Sequence, residues 1–429
     1  MIKCGTVELQ ITPPLGLSIP GYFEDRRSVG IKDELYVKAL VLDDGNTVVA
    51  IIVIDAVAIH QQDVIAIRER VRSQTGILWE NIMVSATHIH TGPPVASTFK
   101  CIRDEEYVSI LIKKSADAAV IAFKKMKPVK IGFNVGREES ISFNRRFFMK
   151  DGSVRTNPGV NNPLIDKPTG PIDPDVCVMR IDDEQGKPQA FVTNFACHPD
   201  VVGGNEYSGD YPGELSNTLK KVYGQDIVSL FITGTCGNIN HIDVTNKTFI
   251  GQDYYIKMGR VLAGEVIKTI EKIETSDNIK IKASLTCFKA STRELSEEMI
   301  KKAEDLMKLE NADPIEKIFA EEIFVYLKKR EKTLDVEVQA IKVGDLAIVG
   351  LPGEIFVEWG LKLKKSSPFK FNMLNTLANA RCGYLPTLEA FSQGGYEPKT
   401  TRINQLVPEA VITMVNTVEE LLLHIYEGK

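Results

Sequence analysis

The sequence predicts an α/β fold, a mixed β-sheet core flanked by helices, and three observations carry that expectation. Apolar runs of strand length recur along the whole chain, separated by stretches with helical periodicity. Several of these runs break off into Gly, Pro, His or Asn, the places where open α/β sheets bind ligands. The chain has 429 residues, 43% hydrophobic and 25% charged, which is enough to bury one large core without disulfides or other staples.

In order, residues 5–11 alternate like a strand and stop at Thr12-Pro13-Pro14. Residues 35–42 and 47–54 read as two strands around Asp43-Asp44-Gly45-Asn46, a hairpin signal. Residues 64–75 have helical periodicity and stop at Gly76, where a C-terminal glycine cap is expected. A short buried strand over 81–85 runs into Thr87-His88-Ile89-His90, and a helix over 104–125 precedes a strand over 129–135. Residues 143–174, rich in Asn, Gly and Pro, read as a long irregular segment, and segments of that kind are usually functional. Strands over 176–181 and 190–196 follow, the second ending at Cys197-His198-Pro199. A helix over 213–222 leads to a strand over 226–232 and then Gly234-Thr235-Cys236-Gly237-Asn238; residues 254–272 read as a helix. The charged stretch 294–332 contains Pro314 and is expected to be two helices, a surface insertion or lid. Strands over 334–343 and 346–351 lead to Pro352-Gly353-Glu354, read as opening a helix, and 372–377 is the last buried strand. No internal repeat or low-complexity linker is visible, so residues 1–429 are expected to form a single domain.

The net charge of −5 argues against nucleic acid as a partner and against stable docking on anionic membranes. Seven cysteines are scattered without any CxxC pair, which suits a reducing compartment rather than a zinc ribbon. The first residues carry no apolar signal-peptide core, and no apolar run is long enough to span a bilayer. The expectation is a cytoplasmic protein acting on a small molecule, with homo-oligomer formation left open.

Only six histidines occur, and four of them, His88, His90, His198 and His241, lie at or near strand ends. His88 and His90 are two apart, so on an extended chain they face the same side. A His-x-His of this kind serves a metal or acid–base site about as often as a hydrogen-bonded loop. His198 alone reads more often as a semi-buried histidine, Glu354 equally as a helix-terminal carboxylate, and Tyr384 mostly as a packing residue. Together, two histidines and a carboxylate are a known catalytic zinc set that leaves a position open for water.

Taken together these segments resemble the catalytic domain of the neutral, non-lysosomal ceramidases, from Gly5 to about Tyr396. Gln10-Ile11-Thr12-Pro13 is similar to the family's early Asp-Ile-Thr-Pro, and Gly21-Tyr22 and Gly30-Ile31 to its Gly-Tyr loop and Gly-Ile segment. Asn81-Ile82-Met83-Val84-Ser85-Ala86-Thr87-His88-Ile89-His90-Thr91-Gly92-Pro93 is similar to Asn-Val-x-Ile-Ser-Gly-Thr-His-Thr-His-Ser-Gly-Pro. Phe195-Ala196-Cys197-His198-Pro199 resembles Phe-Ala-x-His-Pro, and Ala347-Ile348-Val349-Gly350-Leu351-Pro352-Gly353-Glu354 resembles Ala-Ile-x-x-x-Pro-Gly-Glu. Asn379-Ala380-Arg381-Cys382-Gly383-Tyr384-Leu385-Pro386-Thr387 looks like Asn-x-Tyr-x-x-Tyr-Ile-Thr-Thr, Tyr396-Glu397 echoes a later Tyr-Glu, and Asn144-Arg145 an Asn-Arg of the substrate region.

The resemblance implies zinc (Zn2+) held by His88, His198, Glu354 and Tyr384, with His90 lining the substrate site. One departure shapes the expected activity. Where the family has Gly-Asp-Val-Ser-Pro-Asn, with a serine needed for ceramide cleavage, this chain has Gly237-Asn238-Ile239-Asn240-His241. Asparagine donates hydrogen bonds but is no nucleophile, which leaves water as the attacking group and points away from ceramide. The length also leaves no room for the family's C-terminal immunoglobulin-like domain. The expected function is a zinc hydrolase of amidohydrolase type cleaving a small polar amide, with His90 as proton carrier and Asn240 or Arg145 stabilising the intermediate. The alternatives are a genuine neutral ceramidase and a zinc-binding protein without catalysis.

Overall fold

Hairpins with polar turns and apolar arms dominate the chain, and they assemble into two sheets. The computed structural model describes residues 1–245, 251 and 253–427. The larger sheet contains β1 (Lys3–Gln10), β2 (Tyr36–Asp43), β3 (Val48–Ile54), β4 (Ile82–Ala86), β5 (Lys127–Arg137), β6 (Asp175–Asp183), β7 (Pro188–Phe195) and β8 (Val228–Thr233), in the order β8-β7-β6-β5-β1-β2-β3-β4. The outermost pairs, β7–β8 and β3–β4, are parallel; every other neighbour is antiparallel. The smaller sheet is β9 (Ile281–Ser291), β10 (Thr333–Val343), β11 (Leu346–Gly350) and β12 (Phe371–Asn375), with only β11–β12 parallel.

The helices are α1 (Gln61–Thr75), α2 (Glu105–Lys124), α3 (Asp210–Tyr223), α4 (Tyr254–Ile270), α5 (Glu297–Lys308), α6 (Pro314–Lys329), α7 (Val357–Ser366), α8 (Leu388–Gln393) and α9 (Pro408–Glu427). One unit recurs three times: a hairpin, a helix, and a strand that returns parallel to the hairpin's second arm. It is built by β2-β3-α1-β4, by β6-β7-α3-β8 and by β10-β11-α7-β12. A parallel neighbour requires such a crossover. The three copies share topology and not residues, which is why no repeat is visible in the sequence.

Both faces of the larger sheet are covered. Val37, Ala39, Val41, Ile52 and Ile54 pack against Val64, Ile67 and Leu111 of α1 and α2. The alternate residues Leu40, Leu42, Ile51 and Val53 meet Ile341, Ile348 and Met373 of the smaller sheet. Burial on both faces explains why the strands read as unbroken apolar runs. Leu219, Leu262 and Val266 of α3 and α4 cover the β6–β8 end, and Met414, Val415 and Val418 of α9 cover the outer face of the smaller sheet. The result is helices, sheet, sheet and helix in layers, the α/β architecture expected, with no separate immunoglobulin-like domain among the described residues.

Buried asparagines fasten the smaller sheet to both ends of the larger one. The Asn194 side chain donates to Ile232 O (2.8 Å) and Leu374 O (3.0 Å) and accepts from Leu374 N (3.2 Å). At the other end Asn379 accepts from Val84 N (3.0 Å) and donates to Gln339 (2.7 Å), while Asn375 donates to Ser85 Oγ (3.0 Å). These bonds bring the exits of β4, β7, β8 and β11 to one place.

The elements depart from the sequence reading in four places. Residues 143–174 are not irregular throughout: Arg146–Met149, Val154–Thr156 and Ile165–Pro168 form a small antiparallel sheet. Glu354 does not open a helix; Glu354–Ile355 is extended and pairs with Tyr384–Leu385, and α7 starts at Val357. β9 and α9 were not anticipated. β9 is a half-buried edge strand whose charged residues weaken the apolar signal. The 294–332 stretch does form two helices, with Asp313 capping α6 and Pro314 in its first turn. Phe319 of α6 meets Phe23, Phe99 and Tyr396 at ring-centroid distances of 5.8, 6.1 and 5.8 Å, so the insertion roofs the region beside Tyr384. No described helix is long and apolar enough to cross a membrane.

Candidate metal centre

Each candidate ligand stands just past a strand end and is held by the loop leaving a neighbouring strand. The exit of β4 runs beside that of β3: Thr87 N donates to Ile54 O (2.9 Å) and His88 N to Ala56 O (2.8 Å). His88 then adopts φ = 70°, a left-handed conformation uncommon for a residue with a Cβ. Its Nδ1 lies 2.6 Å from Val57 O. His198, past β7, repeats the arrangement with Nδ1 at 2.9 Å from Cys236 O in the loop leaving β8. Glu354 follows β11, its N–H donating to Gly383 O at 2.8 Å. A Cβ on Gly237 would sit 2.4 Å from Glu354 O, so only glycine lets the β8 exit come this close.

The three side chains converge. His88 Nε2 and His198 Nε2 are 2.9 Å apart, and Glu354 Oε2 lies 3.3 and 3.4 Å from them. The backbone carbonyls at both Nδ1 atoms require N–H there, which leaves a lone pair on each Nε2. Burial, with Arg145 and His88 nearby, lowers the His198 pKa to about 4, so it is neutral near pH 7. Burial opposes charge on Glu354 too; positive charge at the two imidazoles outweighs it and holds the carboxyl well below its usual range, and an ion at the same point would supply that charge. Glu354 Oε2 is buried without a hydrogen-bond partner. Three electron-pair donors thus face one point with no proton between them. That is unfavourable alone and fits a cation, and two imidazoles with a carboxylate suit zinc.

His90 is the third member of the histidine cluster; possible ligand atoms of His88, His90 and His198 all lie within 4.8 Å of one another. Glu354 fits the third position better, because both Nε2 atoms point to it. His90 instead has Asp200 Oδ1 at 3.5 Å from Nδ1, and both its ring nitrogens are buried without a hydrogen-bond partner. Tyr22 donates to Asp200 at 2.6 Å. Burial, with His88 and His198, pushes the His90 pKa well below normal.

Tyr384 is buried beside this group, its strand paired with that of Glu354. Arg145 lies with its guanidinium 5.4 Å from the Tyr384 ring, and donates to Gly237 O (2.6 Å) and Glu397 (3.1 Å). His88, His90, Glu354 and Tyr384 line a cup of about 50 Å³ together with Tyr396. Asn240 is placed elsewhere: its amide donates to Asn157 (2.8 Å) and accepts from Ile242 N (3.0 Å), and it does not line the cup. Asn238 is likewise occupied, binding Glu358 (2.9 Å) and Val357 N (2.9 Å) at the start of α7. Sequence reasoning passed over Asp200, whose one signal is its place two residues after His198, and Arg381, which also lines the cup.

The model of a family described as neutral/alkaline non-lysosomal ceramidase, N-terminal, matches residues 3–329. His88, His90, Arg145 and His198 fall inside that match; Glu354 and Tyr384 lie beyond it and rest on the geometry. Among solved structures, the neutral ceramidase from Pseudomonas aeruginosa aligns with a TM-score of 0.75 at 15% identity, over 99% of this chain and 74% of that one. A ceramidase complexed with C2 aligns with a TM-score of 0.74 at 16% identity, over 99% and 75%. At those identities the likeness establishes the fold. With the family match across most of its length, this chain belongs to the neutral/alkaline non-lysosomal ceramidase family.

Proposed function

We propose that the protein is a zinc-dependent amidohydrolase that cleaves a C–N amide bond. The observation that carries this reading is the convergence of His88 Nε2, His198 Nε2 and Glu354 Oε2 on one point. These three would hold the ion, with the Tyr384 phenol as fourth ligand. Bound there, zinc supplies an acidified water and polarises a carbonyl oxygen. His90, free at both ring nitrogens, takes a proton at Nε2 while Asp200 faces its Nδ1, and passes it to the leaving amine. Tyr396 is kept protonated by burial and offers its O–H to the developing oxyanion. Arg145, fixed by Glu397, orients Tyr384. Asn240 is committed to Asn157, and Arg145 to Glu397 and Gly237 O, and neither lines the cup, so the stabilising role expected of Asn240 or Arg145 falls to Tyr396.

Two substrate classes fit this chemistry. Family membership supports an N-acylsphingosine; the narrow cup and the polar surroundings of Arg381 support a smaller polar amide. Metal content by elemental mass spectrometry comes first, on protein purified without added metal. About one zinc per chain, absent from a His88→Ala, His198→Ala variant, supports the ligand set. No metal in either, even after zinc incubation, rejects the hydrolase. Turnover of a short-chain fluorescent ceramide beside a panel of N-acetylated polar amines then separates the substrate classes.

A further inference from the structure

Most buried guanidinium groups near the site face a carboxylate. Arg145 and Arg146 share Glu397 (3.1 and 2.6 Å), Arg103 faces Asp63 (2.6 Å) and Arg68 faces Glu337 (2.9 Å). Arg402 is paired with Glu322 through two nitrogens. Arg381 is different. Its Nη1 is buried without a hydrogen-bond partner, as are single atoms of Arg26 and Arg293, but those two donate to backbone carbonyls through their other nitrogens, whereas no hydrogen bond or ion pair of the Arg381 side chain occurs among the described residues; the carboxylate charge acting on it most is that of Glu354. It lines the cup that holds His88, Glu354 and Tyr384, and it also lines an adjoining cavity of about 590 Å³. A buried unpaired charge is costly, and the cost is relieved by an incoming anion.

The cavity has a second unsatisfied group on the same wall. His60 Nε2 is buried without a partner, and the charge of Arg381 reaches His60 and opposes its protonation. Helix α1, 15 residues long, begins at the next residue, Gln61, which lines the same cavity. The partial positive end of that helix therefore faces the space beside the guanidinium. Burial lowers the His60 pKa to about 4, so near pH 7 the imidazole is neutral; of the charged residues that line the cavity, Lys329, Glu331, Asp335, Arg381 and Arg402, Arg381 alone also lines the cup. One guanidinium suits one planar monoanion held through two parallel hydrogen bonds, which is a carboxylate. A cavity of this size holds a small-molecule ligand.

Resting on the amidohydrolase reading, we infer that the substrate is an amide carrying a carboxylate, of the N-acyl amino acid class, and that Arg381 is the specificity-determining residue that binds that carboxylate. The scissile amide then lies in the cup and the acid group in the mouth of the larger cavity.

The test uses the whole zinc-loaded chain, N-acetylated amino acids, and the same compounds as neutral primary carboxamides. The wild type is expected to prefer the acids by about 100-fold in kcat/KM, the size of discrimination that one buried polar contact supplies. Arg381→Ala should lower kcat/KM on the acids by a similar factor while changing the carboxamides by no more than about 3-fold, and Arg381→Lys should restore only part. A second readout needs no turnover: calorimetric binding of N-acetylglycine, tighter in the wild type than in Arg381→Ala. Equal rates on acids and carboxamides, or ceramide turnover indifferent to Arg381, overturn the inference and leave the amidohydrolase standing. Acid binding that depends on Arg381, with no amide cleaved, supports the anion site and removes the hydrolase. Neither preference nor binding in the wild type overturns the inference without recourse to any variant.

Discussion

The two ends of the large sheet solve one problem twice. At one end β2-β3-α1-β4 delivers His88; at the other β6-β7-α3-β8 delivers His198. Both are a hairpin, a helix and a returning parallel strand, yet the ligand sits differently. His88 leaves the returning strand and needs a left-handed backbone (φ = 70°); His198 leaves the hairpin's second arm without one. In both, a carbonyl from the loop beside it fixes the ring. The difference teaches that the metal point is defined by where the strand exits meet, and each chain segment bends as far as it must to reach it.

Breaking either half should give the largest effect. His88→Ala and His198→Ala are each expected to abolish zinc retention, read by elemental mass spectrometry, and to reduce activity to background. An asymmetric loss, with one variant keeping zinc, would mean that His90 substitutes as a ligand on that side. The fastenings come next. Asn194→Ala and Asn379→Ala each strand buried partners at opposite ends of the sheet and should cost about 2–4 kcal/mol in denaturant unfolding; a loss at one end only would show the two ends to be unequally braced.

A third comparison concerns the residue just past the hairpin arm: Asp55 in one unit and Ala196 in the other. Burial raises the Asp55 pKa to about 6, against the pull of Lys38 and the Tyr36 N–H. An acid whose pKa is raised on folding favours the folded state when protonated. Stability should therefore decline as pH rises from about 4 to about 6 and be flat above, by about 3 kcal/mol. Asp55→Asn should remove that slope, measured as the difference between variant and wild type in unfolding free energy at several pH values. The smallest effect is strain. In metal-free protein, His88→Gly should lose about 1 kcal/mol less stability than His198→Gly, because glycine relieves the left-handed backbone at position 88.

Much of this was legible because burial on both faces left continuous apolar runs for β2, β3, β7, β8, β10 and β11, each stopped by a polar residue with chemistry to offer. His88, His198 and Glu354 stand at such stops, past β4, β7 and β11, but place alone left each of them open to a plainer reading, and the proposed ligand set came from the resemblance of the surrounding motifs to a known family. β9 escaped because it is an edge strand with Lys282 and Lys289 among half-buried neighbours. The fate of Asn240 was invisible because its partner, Asn157, lies just past a strand of the small sheet, in a stretch that sequence reading took for irregular chain. Arg381 carries no signal in one dimension: an arginine in a loop is ordinary, and only the missing partner marks it.

The proposed ligands are spread from His88 to Tyr384, and the last two, Glu354 and Tyr384, pair in a two-stranded ribbon past β11 and β12, which are synthesised late. A growing chain that has made the large sheet holds two imidazoles and no carboxylate, a weak grip. Only when β11 and β12 have docked is the donor set complete. On the proposed ligand set, capture of an ion would report that the C-terminal third has found its place, and a chain misfolded there would be marked by failing to keep metal, which would make the cofactor an inspector of assembly as well as a reagent.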